Sequence, residues 1–338
     1  MAGLSPDLTS GIIIRSRVRL ARNLKGYPFR IDDVAVARDI VKKVNRALVK
    51  ADTFNLYFVA NLSDIKLSAM QERYLISRNL IENRECGAAL VNSDESVSVM
   101  IHEEDVLREQ CFMKGLRLSE AYRRISAIDD ELAKNLDIAY SERFGYLTAC
   151  TTNVGTGLRA SVMLFLPALT LAGKMKILSG EIAKLGLTVR GAYGEGSRAE
   201  GYAYQISNEV TLGVSEYEII KSVEDAVERI CELERNETQK LFGKNELKTM
   251  DRARKSFGIL TNAVLLPYDE FLEHISEVKL GALLGVIDIS EVGELDDLII
   301  SVRPANLCEQ YGKKLSATDR DLFRAEIVGK KLQKLKEN

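Results

Sequence analysis

The segment Arg15-Ser16-Arg17-Val18-Arg19-Leu20-Ala21-Arg22-Asn23 constrains this chain more than any other. Read as a strand, its period of two sends Arg15, Arg17 and Arg19 to one sheet face. Three guanidinium groups on one face repel each other unless solvent screens them or anions and carboxylates lie among them. A solvated face explains the pattern without a function. A polyphosphate clamp explains it equally, because the planar guanidinium fork matches phosphate oxygens in pairs.

The chain around this strand is large enough for about two domains, at 338 residues. With 47 basic and 49 acidic side chains its formal charge is −2, which argues against a broad basic face, so nucleic acid is not an expected partner. An apolar share of 46% supports a sizeable core and excludes a disordered chain. The longest apolar run, 160–173, is broken by Ser161, Pro167 and Thr170 and is shorter than the roughly 20 residues a bilayer span needs. No membrane association and no secretion signal are therefore expected, and the cytoplasm is the expected compartment. The five cysteines stand singly without a CxxC pair, which fits reduced thiols better than disulfides or zinc. With only His102 and His274 available, a histidine-based metal centre or a Ser-His-Asp triad has little to build on.

Strand signals at 12–18, 55–60, 88–91, 96–101, 187–189 and 202–206 mix with amphipathic helices at 37–50, 66–80, 119–135 and 173–185. Asn92-Ser93-Asp94-Glu95 reads as a hairpin turn. The mixture predicts an α+β fold in which an antiparallel sheet is flanked by helices. From Ser215 a helix is expected through Glu234, and the polar stretch 236–248 is the best boundary, giving domains of 1–240 and 241–338. The second is predicted to be all-helical, with helices near 245–257, 268–277, 290–299 and 316–335. Ser316 and Asp319 sit at the spacing of a helix cap.

Three further segments carry chemistry. His102-Glu103-Glu104-Asp105, with Arg108 beyond, concentrates acids just after a strand; they are either surface decoration or a base beside a metal-organising group. Cys150-Thr151-Thr152-Asn153-Val154-Gly155-Thr156-Gly157-Leu158-Arg159 opens a Gly- and Thr-rich loop with a cysteine, which is either a buried structural residue or an activated thiol. It is not a Walker A motif, and neither Gly155-x-Gly157 nor Gly194-x-Gly196 completes a dinucleotide fingerprint. Arg190-Gly191-Ala192-Tyr193-Gly194-Glu195 puts an arginine and a carboxylate on a glycine loop, read either as a hairpin connection or as a flap.

In this order the four segments resemble the catalytic domain of the phosphagen (guanidino) kinases. The match runs across 16–161 and extends to 190–195 and 204–213, with His102, Val106 and Thr151 departing from the family pattern. The helical domain that precedes the catalytic part in creatine and arginine kinases has no counterpart, and a helical domain follows instead. That order, with Arg320-Asp321-Leu322-Phe323-Arg324-Ala325 near the end, resembles the bacterial protein arginine kinases.

The resemblance implies that Arg17, Arg19, Arg108, Arg159 and Arg190 grip ATP phosphates. It implies that Glu104 holds and helps deprotonate the acceptor guanidinium, that Glu195 is its second carboxylate, and that Glu103 organises Mg²⁺ through water. Cys150 becomes the reactive cysteine, with the Thr152 hydroxyl beside it. Arg320 and Asp321 become a phosphoarginine-binding pair serving allostery or dimer contacts; a salt-bridged helix face is the plainer reading.

The expected function is ATP-dependent phosphorylation of arginine in proteins, marking them for Clp-type degradation in the stress response. Family resemblance adds an McsA-type activator, the CtsR repressor and a Clp ATPase as partners, and a homodimer. Two alternatives stand beside it: a kinase of a free guanidino metabolite, and a non-catalytic adaptor acting through the helical domain.

Overall fold

The computed structural model describes residues 11–49, 51–191 and 200–337. The chain begins with β1 (Ile13–Arg22), α1 (Val34–Leu48), β2 (Phe54–Phe58), α2 (Asp64–Glu72), α3 (Arg78–Glu82), β3 (Ala88–Asn92), β4 (Val97–Ile101) and β5 (Leu107–Lys114). Next come α4 (Leu118–Asn135), the short pair β6 (Tyr140–Ser141) and β7 (Gly145–Tyr146), then β8 (Leu158–Phe165), α5 (Pro167–Leu171), α6 (Met175–Ala183), β9 (Leu187–Gly191) and β10 (Ala203–Asn208). The rest is helical: α7 (Glu216–Asn262), α8 (Tyr268–Leu283), α9 (Gly293–Ser301), α10 (Pro304–Gln310) and α11 (Ala317–Glu337).

Eight strands form one sheet in the order β2-β3-β4-β5-β1-β8-β10-β9. Every pairing is antiparallel, as the mixture of hairpins and helices predicts. Alternation divides the sheet into two unlike faces. On the back, Val18 and Leu20 of β1 join Leu158, Ala160 and Val162 of β8 in one core. The stripe Ile40, Val41 and Val44 of α1 and the stripe Ile125, Ile128 and Leu132 of α4 cover it. Helix α1 starts where Asp33 accepts from the N–H groups of Ala35 and Val36.

The front face is apolar at its two ends and cationic between them. At one end Ala89, Val91 and Met100 pack under Leu67, Met70 and Leu80 of α2 and α3. At the other, Phe165 packs against Leu280, Leu283 and Leu284 of the helical region. The arginines of β1, β5 and β8 lie in the gap that these two lids leave.

The helix expected at 66–80 is two helices. Tyr74 adopts a left-handed φ of 65°, and Ser77 restarts the chain by accepting from Leu80 N at 3.1 Å. Helix α7 continues past Glu234 into 236–248, the stretch expected to be a boundary, and kinks within that stretch at Asn245, where φ is −135°. That stretch is polar because ion pairs sustain it: Glu237 binds Lys174 at 2.6 Å and Lys240 at 2.9 Å. A capping box of Ser215 and Glu218 starts the helix. Its first half packs on the sheet core through Ile219, Val223 and Ile230, and its second half enters the core of α8–α11 through Ala253 and Leu260. Ser316 and Asp319 cap α11 reciprocally: Ser316 Oγ accepts from Asp319 N at 3.1 Å and Asp319 Oδ2 from Ser316 N at 3.4 Å.

Glu234 of α7 is 1% exposed and accepts from Ala168 N and Leu169 N at the start of α5. Burial pushes its carboxyl up to about 7 from an ordinary 4.5. Between those values the folded chain holds a proton that the unfolded chain has released, so stability falls as pH rises through this window. Glu234→Gln keeps an acceptor and removes the titration. Its denaturation midpoint should depend less on pH between about 4.5 and 7 than the parent's; equal slopes would reject this assignment.

Candidate active site

The cations of the gap come from three neighbouring strands. Arg19 of β1 stands directly opposite Arg159 of β8, and Arg17 stands opposite Ser161. Arg108 enters from β5 on the other side of β1. Arg17 donates to Gln205 Oε1 at 2.9 Å and to Ser161 Oγ at 3.4 Å, while Arg159 donates to Ser207 Oγ at 3.3 Å. The Nε atoms of Arg19 and Arg159 are buried and have no hydrogen-bond partner among the described residues.

Arg17 and Arg19 keep some exposed area, yet protein surrounds their charged heads on most sides. Burial, then Arg15 and Arg108, bring Arg17 down to about 9. Arg19 is lowered by burial and then by Arg17, Arg108 and Arg159. Arg159 is lowered by burial and then by Arg190, which lies exposed on β9 opposite Gln205. Clustered, desolvated and partly unpaired guanidinium groups fit a polyanion, which removes both penalties at once. Arg15, the third cation of the stripe, stacks on the Tyr74 ring at 4.3 Å.

Two cavities meet at these arginines. The larger, about 520 Å³, has Arg17, Arg19 and Arg108 on its floor and Tyr74, Met100, Tyr268 and Arg303 in its walls. Its size suits a drug-sized or nucleotide-sized ligand. The smaller, about 140 Å³, shares Arg19 and Arg108 and adds Arg159, Glu104, Cys150 and Thr152. The arginine strand, the acid segment and the cysteine loop therefore share one cleft.

Within the acid segment the two glutamates differ. Glu103 Oε1 accepts from Ser77 Oγ at 2.6 Å and from Arg108 Nη1 at 2.8 Å; Oε2 accepts from Glu104 N at 2.7 Å and again from Arg108 Nη1 at 2.8 Å. Burial opposes its charge, but Arg108, Ser77 and the Glu104 N–H prevail and hold its carboxyl below the usual range. With its lone pairs so engaged, Glu103 does not fit a direct metal ligand. Among the described residues no cluster of His, Cys, Asp or Glu has metal-holding geometry. Glu104 faces the small cavity. Burial, then Glu103 and Asp105, raise its carboxyl, as suits a proton acceptor.

Cys150 Sγ lies 3.0 Å from Thr152 Oγ1. The loop that follows depends on Gly155, at φ 113°, where a Cβ would stand 2.2 Å from the Thr211 carbonyl oxygen. Glu195 lies outside the described residues. Of the departing positions, His102 is buried with Nε2 3.1 Å from the Ala37 carbonyl, and Val106 is in the core, so neither reaches the cleft.

Arg320 and Asp321 line neither cavity. Asp321 Oδ1 accepts from the buried Arg324 at 2.7 Å, and Arg320 donates to the Leu315 carbonyl at 3.3 Å. Reading residues one at a time overlooked Ser77, Ser161, Gln205, Ser207 and Tyr74. Only cross-strand register, which sets 161, 205 and 207 beside the arginines, could have singled out three of them.

Comparison with known proteins places these features. Residues 35–237 match the family model "ATP:guanido phosphotransferase, C-terminal catalytic domain", and residues 246–338 match "Protein-arginine kinase McsB C-terminal domain". A protein-arginine kinase of Halothermothrix orenii is 42% identical over 98% of this chain and 95% of its own length. That of Caldanaerobacter subterraneus is 40% identical over 96% of this chain and 97% of its own. Among solved structures, the duplicated taurocyamine kinase of Schistosoma mansoni with bound transition state analogue components superposes with a TM-score of 0.60 at 26% identity, covering 68% of this chain and 34% of that one.

The unpaired cations generate a binding prediction. Inorganic triphosphate should raise the melting temperature, and the shift should shrink with added salt. Arg19→Met should lose most of the shift; an unchanged shift would place the anion elsewhere.

Proposed function

The chain belongs to the ATP:guanido phosphotransferase family, and from that membership we propose that it is a protein-arginine kinase, transferring the γ-phosphoryl group of ATP to arginine side chains of proteins. One observation carries the reading: the arginine floor runs continuously from a cavity of nucleotide size to a small pocket holding Glu104 and Cys150.

Phosphoryl transfer asks mainly for alignment and charge neutralisation. On this reading Arg17, Arg19, Arg108 and Arg159 hold the triphosphate, and Arg190 joins them from β9. An acceptor guanidinium, with a pKa of about 12.5–13.8, is protonated and its lone pairs are delocalised. Glu104 takes its proton as the freed nitrogen attacks the γ-phosphorus and the bond to the ADP oxygen breaks. Cys150 orients the guanidinium in the same pocket, and Glu195 is the second carboxylate that the family resemblance implies. Glu103 keeps Arg108 and Glu104 in place. Mg²⁺ accompanying ATP would neutralise phosphate charge; Glu103 meets it only through water, and no step here depends on it.

The match to the McsB C-terminal domain supports a wider setting. The modified proteins would be stress-response substrates, including a CtsR-type repressor, passed to a Clp ATPase under an McsA-type activator. Arg320 and Asp321 would recognise phosphoarginine, in a homodimer in the cytoplasm. No helix among the described residues is long and apolar enough to cross a membrane.

Incubation with ATP and an arginine-rich protein should give acid-labile phosphate on arginine. Glu104→Gln should lower turnover by about 10²–10⁴-fold. Because the ionised form is the base, activity should fall as pH drops through the Glu104 value, which burial and its acidic neighbours raise. Phosphate on serine, threonine or tyrosine alone would overturn the reading. Fast turnover of free arginine would move the enzyme to the metabolite kinases.

A further inference from the structure

Just past the end of the arginine strand, Asn23 is fully buried. Its Nδ2 donates to Asp105 Oδ1 at 2.6 Å and to the Leu147 carbonyl at 3.1 Å, and its Oδ1 accepts from Val106 N at 2.8 Å. Asp105 Oδ1 also accepts from Ala149 N at 2.6 Å. One buried amide and one buried carboxylate thus join three separate pieces of chain: β1, the acid segment and the cysteine loop. Asp105 follows Glu104 directly, and Ala149 precedes Cys150 directly.

We propose that Asn23 and Asp105 form a positioning clamp for the transfer reaction, fixing Glu104 and Cys150 relative to each other and to the phosphate-binding arginines of β1. The proposal deepens the kinase reading and rests on its assignment of Glu104 and Cys150. Neither clamp residue lines the small cavity, so they act through the two residues they hold. The demand for such a device is geometric. Glu104 and Cys150 lie on different loops, and a misplacement of about 1 Å at a reacting centre can cost about 10²-fold in rate. A single hydrogen-bonded bridge between the loops removes that freedom.

Asp105 also does something that a neutral hydrogen-bonding residue could not. The charged groups around Glu104 are Glu103 and Asp105 on its own segment, Arg108 from β5, Arg19 from β1 and Arg159 from β8, and the Cys150 thiol faces it from the loop. Asp105 is one of the two carboxylates that raise Glu104. Asp105→Asn can keep the acceptor for Ala149 N and Asn23 while deleting the charge. It therefore separates the clamp from the electrostatics.

The test compares steady-state kinetics of the full-length chain with a protein substrate. Asn23→Ala and Asp105→Ala should each lower kcat by about 10- to 100-fold with KM for ATP held within about twofold. The double variant should fall no further than the worse single one, as members of one unit do. Asp105→Asn should recover most of kcat and shift the acid limb of the kcat profile to lower pH. Unchanged kcat in both alanine variants, parallel loss of ATP affinity, or a kcat in Asp105→Asn as low as in Asp105→Ala would overturn the clamp, and an unmoved acid limb in Asp105→Asn would overturn the charge role given to Asp105. Should one alanine variant fail to fold, the other and the kcat of Asp105→Asn decide. Wild-type turnover in Glu104→Gln and Cys150→Ala would instead sink the underlying kinase assignment.

Discussion

Repulsion among guanidinium groups that share one sheet face is the constraint around which this molecule is arranged. Strand β1 sends Val18 and Leu20 into the core and Arg17 and Arg19 into the cleft, so the same ten residues both anchor the fold and load it with charge. Three neighbours answer the charge in part: Gln205 and Ser207 from β10, and Glu103 through Arg108. What they leave unanswered, notably the Nε atoms of Arg19 and Arg159, is what a polyanion completes.

The helical region takes a direct part in this cleft. Arg303 donates to the hydroxyls of Tyr74 and Tyr268 and to the Glu72 carbonyl. Glu72 in turn accepts from the N–H groups of Ala305 and Asn306 at the start of α10, and Glu309 binds Lys66 and Arg73. These contacts hold the α2 segment, and with it Tyr74, against the larger cavity. The wall of that cavity comes from both ends of the chain. Sequence order alone suggests a catalytic part and an appendage; the packing makes one cleft from both.

How much of this was legible beforehand follows from which forces act locally. The strand period and the alternation of cations placed Arg17 and Arg19 on one face correctly, because a strand's two faces are fixed by covalent geometry. The antiparallel sheet was legible for a similar reason, since turn clusters such as 92–95 separate short strand-like runs. The split of the 66–80 helix was not legible: the left-handed turn at Tyr74 answers to the ring's contacts with Arg15 and Arg303, which are distant in sequence. The continuation of α7 beyond Glu234 was not legible, because a polar stretch reads as a linker; ion pairs to α6's flank hold its first part helical, and the helix kinks inside that stretch at Asn245. Asn23 carries no charge and matches no motif spacing by itself. Its importance lies wholly in three hydrogen bonds to residues more than eighty positions away.

The course of α7 through both cores has a mechanical consequence. Its 47 residues form two helical segments that meet at Asn245, with a combined length of about 70 Å. One end is embedded in the hydrophobic layer behind the sheet, the other in the bundle at the carboxyl end. Movement of the bundle against the sheet would therefore bend α7 first at Asn245. Each half of the polypeptide keeps its own segment of α7 in its interior, and the two segments meet at that joint.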